Sequence, residues 1–138
     1  MNNTLRHIAL IIALAISPLF LTACNMDATK EINSTGNYVP NIEDIPLPNG
    51  FIGDYDNAIS YDTPQGRIIE SEAVGKSNAN SIQNFYINSL PHLGWKKSSS
   101  QYHDGIKIIF TRQDERLQIH IQQKQPDTLS LHFSLSPI

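Results

Sequence analysis

The patterning of this chain predicts the α+β class: one amphipathic helix packed on an antiparallel sheet, in the order β-β-α-β-β-β-β. Two segments near the C-terminal end alternate strictly, Leu117, Ile119 and Ile121 with Gln118, His120 and Gln122, and Leu129, Leu131, Phe133 and Leu135 with Ser130, His132 and Ser134. Period two with one apolar and one polar face marks strands that cover a core on one side and meet water on the other. A single stretch, Ile82, Phe85, Tyr86, Ser89, Leu90 and Leu93, repeats at helical spacing. The apolar face of the sheet needs a cover, and this helix is the only amphipathic one available to supply it.

The elements follow in order. Residues 58–61 and 67–74 read as strands joined by the turn Thr63-Pro64-Gln65-Gly66, with proline and glycine where a reversal wants them. Asn78 is the expected helix cap, its side chain accepting from a backbone amide of the first turn. The helix is rich in Asn and Ser, so its stability rests on burying Ile82, Phe85, Leu90 and Leu93 more than on propensity. Pro91 interrupts it, because an interior proline gives up a backbone hydrogen bond; a break at Leu90-Pro91 and a last turn stopped by Gly94 in the left-handed conformation are expected. Residues 95–101 and 106–112 form the next two strands around His103-Asp104-Gly105, and Gln113-Asp114-Glu115 turns the chain into the two alternating strands. If Ile121 pairs with Leu131 and Ile119 with Phe133, then His120 faces His132.

The first fifty residues have another character. Arg6 is followed by a thirteen-residue apolar run, residues 8–20, too short for the about 20 residues a membrane-spanning helix requires. It reads as the hydrophobic region of a signal peptide, residues 1–23. It ends at Leu21-Thr22-Ala23-Cys24, which carries the only cysteine in the chain. Residues 24–50 are polar, acidic and proline-containing, and are expected to form an extended or disordered tether ahead of a single domain at 51–138. Within it Ile42, Ile45 and Leu47, followed by Phe51, stand out as residues able to dock against the domain; free disorder is the other reading.

Charge narrows the partners. The formal net charge is −3, and Arg6 is the only charged residue of the leader. Asp27, Glu31, Glu43, Asp44, Asp54, Asp56 and Asp62 face a single base, Lys30, in the first part of the remaining chain, whereas residues 63–138 are faintly basic. No concentrated basic stripe exists, so a nucleic-acid partner is not expected.

Leu21-Thr22-Ala23-Cys24 resembles the lipobox of bacterial lipoproteins. The resemblance implies cleavage before Cys24, a diacylglyceryl group on its sulfur and an N-acyl group on its amine, and therefore a domain held on a membrane by lipid. Each buried acyl methylene contributes about 0.8 kcal/mol, so two or three long chains anchor a protein firmly. Asn25 follows the cysteine where enterobacterial inner-membrane lipoproteins resemble one another in carrying aspartate; this favours the periplasmic face of the outer membrane in a Gram-negative cell. With Cys24 acylated, no thiol remains for a disulfide, a zinc site or a nucleophile.

A second resemblance covers about residues 45–133. Tyr61-Asp62-Thr63-Pro64-Gln65-Gly66-Arg67-Ile68-Ile69-Glu70, with Phe85-Tyr86 and Leu90-Pro91-His92-Leu93-Gly94-Trp95, is similar to a module of small alphaproteobacterial-type lipoproteins, a family that implies no activity. The helix-on-sheet plan is also similar to helix-grip domains in lipoproteins of outer-membrane assembly, a likeness of fold alone.

Candidate sites are sparse. His120 and His132, facing one another with Cβ atoms about 5 Å apart, offer two imidazoles to copper or zinc. A catalytic zinc takes three protein ligands and no third is evident, so a solvated polar face is the competing reading and no metal is expected. Glu70 and Glu72 share a strand face, as any solvated edge would allow; Arg67 and Glu70 point to opposite faces. Ser98, Ser99 and Ser100 beside His103 and Asp104 cannot converge as a catalytic triad along one strand. Phe85, Tyr86 and Trp95 either line a groove between helix and sheet or pack in the core. The combined expectation is a non-enzymatic, lipid-anchored binding or interaction module that meets an envelope protein or peptidoglycan, with no cofactor beyond the lipid. The alternative is a small metal- or ligand-binding protein, or an enzyme, using the His120 and His132 face.

Overall fold

The computed structural model describes residues 37–138; the segment 1–23 read as a signal peptide, the lipobox-like Leu21-Thr22-Ala23-Cys24 and the first half of the expected tether lie outside the described residues. The architecture is α+β. Strands β1 (Tyr38–Val39), β2 (Ile42–Pro46), β3 (Phe51–Gly53), β4 (Ile59–Thr63) and β5 (Gly66–Lys76) precede helix α1 (Ala79–Ser89). A single 3-10 turn, Leu90–Leu93, leads into β6 (Lys96–Gln101), β7 (Ile106–Arg112), β8 (Glu115–Gln125) and β9 (Thr128–Pro137).

The main sheet is antiparallel, in the order β3-β5-β9-β8-β7-β6, and β4 pairs with the start of β5 on the same edge that β3 occupies further along. Strand β9 therefore sits between β5 and β8. The pairing of the two alternating strands sets Ile121 against Leu131, Ile119 against Phe133 and His120 against His132, as the hydrophobic pattern predicts. A one-residue slip would turn Leu117, Ile119, Leu131 and Phe133 to water, so burial fixes the register.

Helix α1 forms as the sequence predicts. Asn78 Oδ1 accepts from the Ser81 amide at 2.8 Å, and Gly94 closes the last turn at φ 85°. Ile82, Tyr86 and Leu90 are buried against the sheet, and Tyr86 meets Phe133 edge-on with ring centroids 5.9 Å apart. Leu93 departs from expectation, standing 40% exposed. The 3-10 turn advances the chain by about 120° per residue instead of 100°, which swings its final side chain off the buried stripe. Gln83 takes a buried place instead, its amide donating to the Tyr102 hydroxyl at 2.8 Å.

Over residues 37–50 the docking reading of Ile42, Ile45, Leu47 and Phe51 holds, and the extended or disordered tether expected for 24–50 is corrected there. Val39-Pro40-Asn41-Ile42 is a two-residue hairpin with Asn41 at φ 63°, and β1 pairs with β2. Proline followed by a residue of positive φ is the backbone of a type II turn. This hairpin lies beside the helix on the apolar face of the sheet and buries Val39, Ile42, Ile45 and Leu47. It is held by named bonds. Ser71 donates to the Pro40 carbonyl at 2.6 Å, and the Tyr86 hydroxyl donates to the Pro46 carbonyl at 3.2 Å. Arg112 pairs with Asp44 and with Glu115, donates to the Leu93 carbonyl at 3.3 Å, and lies 4.2 Å over the Trp95 ring. At the sheet edge Gly75 leaves room for Phe51, since a Cβ there would stand 2.6 Å from the ring. The compact body thus reaches back to residue 37, and four short apolar residues complete a cover that the helix alone is too narrow to supply.

Candidate functional site

The face of the sheet opposite the helix carries the polar residues, and register dictates how they meet. Strand β7 sets Lys107 against His120, β8 sets His120 against His132, and β5 sets Glu72 against His132. Lys107, His120, His132 and Glu72 therefore form one row across four strands. Glu72 and Glu70 do share this face, as their spacing requires, and each has its own partner on β9: Ser130 donates to Glu72, and Ser134 donates to Glu70 at 2.6 Å. Arg67 lies on the other face, bridged to Glu115 at 3.3 Å.

The row ends in a concavity. The Asp104-Gly105 turn, both residues at positive φ, curls over the end of β8. Asp104 presents its carbonyl to His120 Nε2 at 2.8 Å and its carboxylate to the Gln122 amide at 3.3 Å. Gly105 is required there, because a Cβ would stand 2.3 Å from the Ile121 carbonyl oxygen. Between this turn and β5 lies an open hollow of about 490 Å³ lined by Glu72, Asp104, Gln122, Lys124, Ser130 and His132 among others. Its floor is Ser130, 4% exposed, whose hydroxyl also stands 3.3 Å from His132 Nε2. Lys124 Nζ and His132 Nε2 lie 3.7 and 3.8 Å from Glu72 Oε1. A smaller hollow of about 140 Å³, bordered by Asn57, Glu70 and Ser71, adjoins it across Glu72 and His132.

Chemically this is a set of matched donors and acceptors: two carboxylates, the amides of Gln122 and Gln123, an ammonium, a hydroxyl and an imidazole. It suits hydroxyl-, amide- or amine-bearing ligands, whose groups both give and accept hydrogen bonds. Among the described residues no three His, Cys, Asp or Glu side chains are gathered as metal ligands. No described helix is long and apolar enough to cross a membrane.

The other sequence candidates are placed elsewhere. Tyr86 and Trp95 are buried at 0% and 1% exposure and Phe85 is partly buried, so the three pack in the core and line no open groove. Burial also raises the Tyr86 phenol far above its ordinary value. Ser98, Ser99 and Ser100 lie along β6. Sequence spacing allowed His120 to face His132 and named Glu72 and Asp104 in other roles; it missed Lys124 and the convergence of all three on His132, which depends on β5 pairing with β9 and on the curl of the β6–β7 turn, both long-range facts.

Comparison with known families gives a match to a model described as START domain-like over residues 72–128, less than half of the chain and running from within β5 through α1 to the first residue of β9. No curated protein and no solved structure matches the chain.

Proposed function

We propose that this is a lipid-anchored, non-enzymatic binding module of the cell envelope, tethered through acylated Cys24 to the periplasmic face of the outer membrane and meeting its partner through the polar sheet face. The observation that carries the binding reading is the hollow over Ser130, where Glu72, His132, Lys124 and Asp104 converge in an open, solvent-facing cup. Sites of this kind hold polar ligands through several hydrogen bonds at once. Peptidoglycan, which carries hydroxyl, amide and amine groups, or a polar loop of an envelope protein, has the matching chemistry. The anchor reading rests on the sequence around Cys24.

Photoreactive residues replacing Gln118, Lys107 and Gln122 in living cells test the contact. One dominant envelope protein or glycan fragment captured through Gln122, and lost in Glu72→Ala with His132→Ala, is the expected result; uniform capture of nothing specific from all three sites rejects it. Cys24→Ser is expected to leave an unprocessed chain without acyl label, and normal labelling of that variant rejects the anchor.

A second reading is favoured by one distance. His132 Nε2 and Glu72 Oε1 stand 3.8 Å apart, a small side-chain shift from the roughly 3.3 Å between two ligands of one tetrahedral zinc ion, which makes them a two-ligand site. Titration with zinc or copper then gives stoichiometric uptake abolished by His132→Ala; no uptake by the parent rejects this reading.

A further inference from the structure

Among the described residues the sheet has two free edges, and they are built differently. The β6 edge carries Lys96 and Lys97 and an irregular register between Lys97 and Ser99. Lysines and bulges are what proteins use to stop an edge strand from pairing. The β4 edge, Ile59-Ser60-Tyr61-Asp62-Thr63, has no lysine, no proline and a regular register with β5 throughout. Three of its five residues, Ile59, Tyr61 and Thr63, favour strands. Ile59 is 44% and Tyr61 61% exposed, and Ile68 beside Tyr61 adds a third exposed apolar side chain.

We infer that the β4 edge is the interface of a two-fold dimer, in which β4 strands from two copies of this chain pair antiparallel about Tyr61. Self-pairing places Tyr61 opposite its own copy, Ile59 opposite Thr63 and Ser60 opposite Asp62. Each pair is favourable: ring on ring, branched side chain on branched side chain, and hydroxyl beside carboxylate. The acids are kept off one another, since Asp62 never faces Asp62.

The backbone agrees. Thr63 pairs with Gly66 across the two-residue loop Pro64-Gln65, so the residues that exchange both backbone bonds with β5 alternate back from Thr63 to Tyr61 and Ile59. Ser60 and Asp62 then aim their N–H and C=O groups off the sheet. In the two-fold arrangement these are the groups that bond, Ser60 with Asp62 of the other copy on both sides of the centre. Tyr61 becomes a non-hydrogen-bonded pair, whose Cα atoms stand about 4.5 Å apart. Two-fold symmetry is the commonest closed form for two identical chains, and it pairs the β4 edge of both copies at once. On β6 the irregular register between Lys97 and Ser99 interrupts the regular row of outward backbone groups that such a pairing uses.

Two measurements on the full chain in detergent micelles test this. Under mild oxidation Tyr61→Cys is expected to give a disulfide-linked dimer above the background of the parent, because the pair lies within disulfide reach. Ser60→Cys, roughly 8 Å from its own copy by strand geometry, and Lys96→Cys on the other edge should stay at background. Sedimentation should give the parent twice the chain mass at roughly 100 μM, a concentration suited to an interface smaller than the about 1,600 Å² standard. Tyr61→Lys, which sets two ammonium groups face to face, should weaken association at least tenfold while the far-ultraviolet circular dichroism stays that of the parent. A parent that is monomeric at that concentration, or Lys96→Cys cross-linking as well as Tyr61→Cys, overturns the inference.

Discussion

Truncating Ile45 to alanine tests whether the β1–β2 hairpin belongs to the cooperative core. Ile45 is fully buried in the same cluster as Tyr86 and Trp95. The change removes three carbon groups, worth about 2.4 kcal/mol at about 0.8 kcal/mol per buried methylene. The void left behind raises the cost to about 3–4 kcal/mol, since a β-hairpin pinned by Ser71, Tyr86 and Arg112 can collapse only partly. For a domain of this size the thermal midpoint moves about 4–8 °C per kcal/mol, so it should fall by roughly 12–30 °C. Trp95, the only tryptophan, is 1% exposed beneath Arg112 and reports unfolding by its fluorescence in urea. Leu93→Ala is the matched control: an apolar residue of the predicted helical stripe that the structure leaves 40% exposed, expected to cost less than about 1 kcal/mol. An Ile45→Ala protein within about 0.5 kcal/mol of the parent, or a Leu93→Ala protein as damaged as Ile45→Ala, would refute the reasoning.

Two further outcomes follow from packing and ionisation. The Tyr86 phenol is held neutral by burial, so its folded pKa lies above the unfolded value of about 10. As pH rises past that value the unfolded chain loses a proton that the folded chain keeps, and stability falls by up to about 1.4 kcal/mol per pH unit from this group. Tyr86→Phe should remove that share of the alkaline slope in urea titrations at pH 9 to 11, while costing about 1 kcal/mol at pH 7 through the unpaired Pro46 carbonyl; an unchanged slope counts against it. Gly75→Ala should cost about 1–3 kcal/mol, because its Cβ would press on the Phe51 ring and the Gly50 carbonyl at 2.6 and 2.7 Å. Denaturation equal to the parent would show that β3 is free to move aside.

Where the sequence was readable, it was readable through periodicity. Strict alternation at 117–122 and 129–135 marked the two strands and the face of each that stays dry, and His120 against His132 followed on the condition that Ile121 pairs with Leu131, which it does. Asn78, Pro91 and Gly94 marked the start, break and stop of the helix by backbone chemistry that acts locally. The hairpin at 38–46 was harder. Its signal was a Pro40-Asn41 turn between Val39 and Ile42, two short strands with acids and a proline between their apolar residues, and such brevity looks like a linker until something buries it. The clamp of Arg112 on Asp44, Glu115 and Trp95 joins residues up to 68 apart, and no local pattern announces it. The polar hollow was half legible for the same reason: the two histidines follow from pairing of adjacent strands, whereas Glu72 arrives from across a crossover.

The central place of β9 bears on how the body is assembled during synthesis. Residues 128–137 supply the strand that joins β5 to β8, so a nascent chain lacking them holds two unjoined halves, β3-β4-β5 and β6-β7-β8, each with a long open flank. The hairpin at 38–46, made first, waits for a floor that is laid last. Cooperative folding is thereby postponed until the chain beyond residue 127 is free to pair, and until then neither half of the sheet has its partner.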